Sequence, residues 1–116
     1  MRRLNKQEMF SRAVTGLRSQ GFRQCLDDHP ESPEPVYAHT DGRRCAWGWV
    51  DRSLTPNHDS TFFVDELHAG IAPRMTMDEL EFARELQWCH DDSRTPAAME
   101  RRLRRLGERE KLRWPE

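Results

Sequence analysis

The stretch VYAHTDGRRCAWGWV, residues 36–50, decides how the chain is read. An Asp-Gly pair separates two short segments, VYAHT and RRCAW. Asp-Gly in that setting signals a two-residue hairpin turn, because both central residues of a type I′ turn take positive φ. Strands are therefore expected at 36–40 and 43–47, closing at Asp41 and Gly42. Side chains alternate along a strand, so Cys45 and Trp47 are assigned to one face and Arg44 and Ala46 to the other. Gly48, between Trp47 and Trp49, marks a bend or a close approach of another segment. Cys45 in this aromatic company reads as core filler, since cysteine is among the most often buried residues.

Upstream, Asn5 and Glu8 have the spacing of a capping box, with Leu4 and Met9 as its hydrophobic staple. Met9, Phe10, Ala13, Val14 and Leu17 then share one face, which predicts a helix over 5–20 ending near Gly21. DDHPESPEP, residues 27–35, holds three prolines and four acids and reads as a surface loop. Downstream, Ser60 to Gly70 suits a short helix with Phe63 and Leu67 inward. Thr76 and Glu79 repeat the capping-box spacing ahead of Leu80, Ala83, Leu86 and His90, with Phe82 and Cys89 beside that stripe, predicting a helix to about Asp91. Thr95 and Pro96 open a last helix along Met99, Leu103 and Leu106, which Gly107 is expected to interrupt. The fold class expected is α+β: one domain over 1–116, about four helices around one short β-hairpin (36–47), with 107–116 a loosely ordered tail.

Composition narrows the function classes. The chain has 116 residues, of which 35% are hydrophobic and 34% charged, polar for a globular domain yet with four Trp and five Phe to close a small core. No apolar run is long enough to span a bilayer, and the N-terminal residues lack the apolar stretch of a secretory signal, so a soluble protein of the cytoplasm is expected, with no membrane partner. Three widely spaced cysteines, without a CxxC pair, indicate neither a disulfide framework nor a standard zinc module. The net charge of −1 conceals a segregation: residues 1–24 carry a net +5, residues 25–99 a net −9 and residues 100–116 a net +3. Most of the cations are arginines, suited to bidentate pairing with carboxylates, so the basic ends are expected to fold back on the acidic middle.

With CAWG at 45–48 and LQWCHDD at 86–92 in view, the chain resembles a family of small proteins of bacteriophages and actinobacteria. Members share a tyrosine, a Gly-x-x-Cys-Ala-x-Gly segment shortly after it, and a later Leu-Gln-x-x-His-Asp before a final amphipathic helix. Tyr37, Gly42, Cys45, Ala46, Gly48, Leu86, Gln87, His90 and Asp91 fit that pattern in order. Pro35 stands where a cysteine is usual and Met99 where an aromatic residue is, which argues against a metal or disulfide role needing the earlier cysteine. The resemblance implies a mobile genetic element as the setting and, with it, a small protein that acts by binding a host factor.

Four constellations carry possible chemistry. Cys45 beside Arg43 and Arg44, with His90 as base and Asp91 as its orienter, has the residue types of a thiol enzyme. Cys45, Cys89, His90 and His39 are ligand types zinc accepts, but adjacent Cys89 and His90 point about 100° apart on a helix, and no metal or other cofactor is expected. His58-Asp59 and His90-Asp91 are too small a set for a paired-metal hydrolase; His90, Asp91 and Gln87 are expected to form a structural hydrogen-bonded cluster. Arg101, Arg102, Arg104, Arg105 and Arg109 on the last helix could contact phosphates. The function expected is a non-enzymatic interaction protein that binds and inhibits a host protein, using Asp27, Asp28, Glu31 and Glu34 of the acidic loop or those five arginines. A nucleic-acid binder using the last helix and a small Cys/His enzyme are the alternatives.

Overall fold

The structure, a computed structural model, describes residues 5–36, 38–52 and 76–116. Four helices lie among them: α1 (Lys6–Ser19), α2 (Ala46–Val50), α3 (Met77–Asp91) and α4 (Pro96–Arg109). Three start where the sequence places a cap. The Asn5 side chain accepts the Glu8 N–H at 2.8 Å, and the Glu8 carboxylate accepts the Asn5 N–H in return. Thr76 and Glu79 make the same reciprocal pair at the start of α3, and the Thr95 hydroxyl accepts from Ala98 ahead of Pro96. Each arrangement satisfies N–H groups that a helix start otherwise leaves without partners. The chain leaves α1 through two successive residues at positive φ, Gly21 (69°) and Phe22 (56°), and the Phe22 N–H returns to the Leu17 carbonyl.

The apolar faces converge on one core. Met9, Phe10, Ala13, Val14 and Leu17 of α1 meet Ala46, Trp47 and Val50 of α2, Phe82, Ala83 and Leu86 of α3, and Met99, Leu103 and Leu106 of α4. Gly107 does not interrupt α4, which runs on to Arg109. A Cβ at Gly107 would come within 2.7 Å of Phe10 Cζ, so the missing side chain makes room for that ring. After α4, residues 110–116 lie back across α1. Trp114 meets Phe10 edge-on at 5.9 Å between ring centres and stacks on Phe22 at 6.4 Å. The Gln7 side chain grips the backbone of Arg113 from both sides, donating to its carbonyl at 3.0 Å and accepting its N–H at 2.9 Å.

The expected α+β class is corrected: no strand lies among the described residues, and the hairpin at 36–47 is absent. The chain turns at Asp-Gly, but not as the two-residue type I′ turn expected: Gly42 has φ 99° while Asp41 is not at positive φ, the Gly42 N–H bonds the His39 carbonyl at 3.0 Å, and the His39 N–H bonds the Arg43 carbonyl at 2.9 Å, so Thr40, Asp41 and Gly42 make a three-residue loop. Among the described residues, a single bridge follows it, Ala38 to Arg44. The ladder stops because the next residues commit their N–H groups to a helix. The Cys45 sulfur accepts the Gly48 N–H at 3.3 Å, and the Cys45 carbonyl accepts from Trp49 at 3.2 Å. Alternation fails with it, since Cys45, Ala46 and Trp47 are all buried. A second short pairing encloses the acidic loop, where the Val36 N–H bonds the Cys25 carbonyl and the Asp27 N–H bonds the Glu34 carbonyl. The helix expected over 60–70, His58-Asp59 and the position of Tyr37 lie outside the described residues.

Candidate functional site

The cluster around His90 forms where the end of α3 meets the chain leaving α1. His90 is 0% exposed. Its Nε2 accepts the Cys25 N–H at 2.7 Å, which fixes Nε2 as the unprotonated nitrogen, and its Nδ1 donates to the Asp91 carboxylate at 2.7 Å. Gln87, one turn earlier, accepts the Trp47 N–H at 2.9 Å and leans on the same carboxylate at 3.3 Å. Gln24 donates to the carbonyls of His90 and Asp91, and the Cys25 thiol donates to the Arg43 carbonyl at 3.3 Å. The expected Gln87–His90–Asp91 cluster is thus present, and it ties α2, α3 and the 41–44 turn to the segment after α1.

Such a cluster holds a fold together and leaves little for catalysis. Both ring nitrogens of His90 are occupied, so neither remains to take a proton from Cys45. Cys45 is 0% exposed, and burial pushes its thiol up to about 12. Burial likewise pushes Cys25 and Cys89 up to about 12, against the opposing pull of nearby arginines. A thiol in that range has almost no nucleophilic thiolate at neutral pH. Among the described residues, no group of three or more His, Cys, Asp or Glu is gathered to hold a metal ion. His39 lies at the turn, donating from Nε2 to Asp28 at 2.8 Å and accepting the Asp41 N–H at Nδ1.

The arginines of α4 divide into two groups. Arg102 donates to the Asp92 carbonyl at 2.6 Å and to the Ser93 hydroxyl, Arg104 pairs with Glu100 at 3.0 Å and covers the Trp114 ring, and Arg109 pairs with Glu85 at 2.5 Å. Arg101 and Arg105, one turn apart and exposed, have no ion pair among the described residues. Between α3 and α4 runs a groove of about 420 Å³ whose lining includes Glu85, Trp88, Arg102, Arg105 and Arg109. Trp88 is 54% exposed, and the Arg102 guanidinium lies 4.9 Å from its ring centre. A second, shallower hollow of about 510 Å³ includes Arg101, Arg104 and Arg105 together with Glu100 and Glu108. Trp88 was not singled out in the sequence as a surface group. Its position on α3, two residues from the buried His90 and off the Leu80–Ala83–Leu86 stripe, was the available signal.

The acidic loop is internally organised. One Asp27 carboxylate oxygen accepts the N–H groups of both His29 and Glu34 at 3.1 Å, and these bonds hold its carboxyl below the usual range. Asp28 is engaged by His39, whereas the exposed Glu31 and Glu34 side chains have no ion pair among the described residues. Among the described residues, no hydrogen bond or ion pair joins 27–34 to α4, so these two sets of sequence-predicted residues are not paired with each other. The residues that sequence reasoning missed are mainly glutamines. Gln20 accepts the Arg44 N–H at 2.9 Å and the Trp49 indole N–H at 3.0 Å, and donates to the Arg44 carbonyl at 2.8 Å.

No family model, no curated protein and no solved structure matches this chain. No helix among the described residues is long and apolar enough to cross a membrane.

Proposed function

We propose that this is a non-enzymatic interaction protein, phage-encoded and acting in the bacterial cytoplasm, that binds and inhibits a host protein through the outer face of α3 and α4. The observation that carries the reading is Trp88, half exposed beneath the Arg102 guanidinium and bordered by Arg105 and Arg109. Trp and Arg are the residues that dominate binding energy at protein interfaces, because they desolvate a large area and carry directional donors. A basic rim around an apolar ring favours electrostatic steering of an acidic partner followed by burial of the indole. The bacterial host as the source of that partner rests on the resemblance to phage and actinobacterial proteins.

Nucleic-acid binding is the second reading, favoured by an aromatic face beside guanidinium groups, which is the composition of a single-strand stacking platform. Glu85, Glu100 and Glu108 line the same grooves and weaken attraction to phosphate, so the protein partner is preferred. The test is affinity capture from nuclease-treated bacterial lysate with the wild-type chain and with Trp88→Ala/Arg105→Glu. A discrete protein retained by the wild type and lost by the double variant is expected. Equal capture by both chains refutes the assigned face, and salt-sensitive retention of RNA or DNA in untreated lysate, with no protein, favours the second reading.

A further inference from the structure

The same molecule carries a basic groove and an acidic loop that no hydrogen bond or ion pair among the described residues joins. On the basic side, Arg101 and Arg105 are one helical turn apart, exposed, and without an ion pair among the described residues. Arg105 also borders the groove that holds the open face of Trp88. On the acidic side, Glu31 and Glu34 are three residues apart, exposed and likewise without an ion pair among the described residues. The loop between 27 and 34 is already shaped, because Asp27 accepts the His29 and Glu34 N–H groups and the Ser32 N–H bonds His29 Nδ1 at 3.0 Å. A shaped loop loses less conformational freedom on docking than a floppy one. Pro30 and Pro33 are exposed on it, and proline rings are the natural companions of an aromatic-lined groove.

We infer that the groove between α3 and α4 receives the acidic, proline-bearing loop 27–34 of a second copy of the chain. Glu31 and Glu34 meet Arg105 at the groove's border and Arg101 one turn beyond it, in the neighbouring hollow, and a proline ring of the loop covers Trp88. The contact is head-to-tail: each copy that donates its loop keeps its own groove open, so association continues beyond a pair unless the geometry closes a ring. It is also weak, since one short loop falls well below the roughly 20–30 residues a side of a standard interface. The inference takes the face of the proposed function as the receiving surface, so self-association competes with host-protein binding and keeps the indole covered when no host protein is present.

Sedimentation equilibrium of the full chain tests it. Between about 10 μM and about 1 mM protein at about 20 mM salt, the weight-average mass is expected to rise with concentration to at least about twice 13.8 kDa, and to fall back at about 300 mM salt. Two variants, Glu31→Arg/Glu34→Arg and Arg101→Glu/Arg105→Glu, change exposed side chains only and are expected to keep the circular dichroism spectrum and melting temperature of the parent. Each alone stays monomeric, and an equimolar mixture of the two assembles again, because every reversed charge then faces its opposite. A wild-type chain that stays monomeric throughout, an assembly indifferent to either variant, or a mixture that fails to assemble after both variants have lost self-association overturns the inference. The loop variant leaves the α3–α4 face intact, so host capture that persists in it while self-association is absent from every chain refutes this inference alone. Failed host capture with self-association intact refutes the proposed function alone.

Discussion

At the scale of the residue, Cys45 is a cap. Its sulfur takes the Gly48 N–H at the start of α2, in the place where serine or asparagine usually stands. With its thiol pushed up to about 12 and no exposed surface, it is expected to ignore a thiol reagent at neutral pH. Cys25 and Cys89, also buried and held near 12, are expected to behave alike. Timed titration with a chromogenic disulfide checks this: none of the three cysteines reacts in the native chain, and all react in denaturant. Rapid labelling of native Cys45 would return the thiol-enzyme alternative. His90 has a comparable structural task, because its Nε2 is the acceptor for the buried Cys25 N–H. His90→Phe leaves that donor without a partner and is expected to lower stability by about 1–3 kcal/mol. His90→Gln, which keeps an acceptor near the same place, is expected to cost less. Denaturant unfolding of both variants measures the difference, and equal losses would mean that ring packing, not the hydrogen bond, is what matters.

At the scale of the element, the helices that could be read in the sequence are those whose signals are local. Asn5–Glu8, Thr76–Glu79 and Thr95–Pro96 mark starts because the capping partners lie within one turn of each other. The short helix α2 was hidden for the opposite reason. Cysteine is not among the usual capping residues, and the Asp-Gly pair just before it ends a three-residue loop, not the two-residue hairpin turn its sequence signals, with strands that never extend. What holds α2 in place is tertiary: the Gln87 acceptor on Trp47, the Gln20 acceptor on Trp49, and the face of α1 against which Trp49 lies. Gly16 makes that last contact possible, since a Cβ there would sit within 2.7 Å of the Trp49 Cβ and closer still to its ring. Gly16→Ala gains about 1 kcal/mol of helix propensity, yet overpacking costs about 1–3 kcal/mol, so a net loss of stability is expected. Made together with Trp49→Ala, the substitution should recover the propensity gain. A double-mutant cycle by thermal or denaturant unfolding reads the coupling, and additive effects would show that the two residues do not meet.

At the scale of the whole molecule, the charge segregation read from the sequence reappears as pairing across the fold. Lys6 reaches Asp78 at 2.5 Å, Arg109 reaches Glu85 and Arg102 reaches Asp92, so basic ends meet acidic middle, while Lys6 also reaches Glu110 at 2.7 Å and so joins the two ends to each other. The pairing was legible as a tendency of composition; which residue meets which was not, because Lys6 and Glu110 are joined only when the last segment lies back over α1. That clasp makes a pH signature. The Lys6 ammonium, followed by the Arg109 guanidinium, holds the Glu110 carboxyl below its usual 4.5, while Asp78 and then Glu110 raise Lys6 above 10.5. A carboxyl lowered in the folded chain stabilises above its unfolded value, and that contribution is lost as pH falls through the folded one; a raised ammonium stabilises below its unfolded value and loses the contribution as pH climbs past the folded one. Stability is therefore expected to be level from about 4.5 to about 9 and to fall on acidification below about 4.5; it falls again above about 9, where the three thiols ionise in the unfolded chain but stay protonated in the folded one, with the Lys6 contribution lost at still higher pH. Asp27 and Asp41, lowered mainly by backbone N–H groups of their own loops, add to the acid limb, so Glu110→Gln should flatten it without removing it. Lys6→Met should flatten both limbs. Because these groups stand near solvent, both effects should shrink as salt rises. Unfolding midpoints across pH, for the parent and the two variants at low and high salt, measure all three outcomes, and an acid limb identical in parent and Glu110→Gln would show that the clasp contributes nothing to folding.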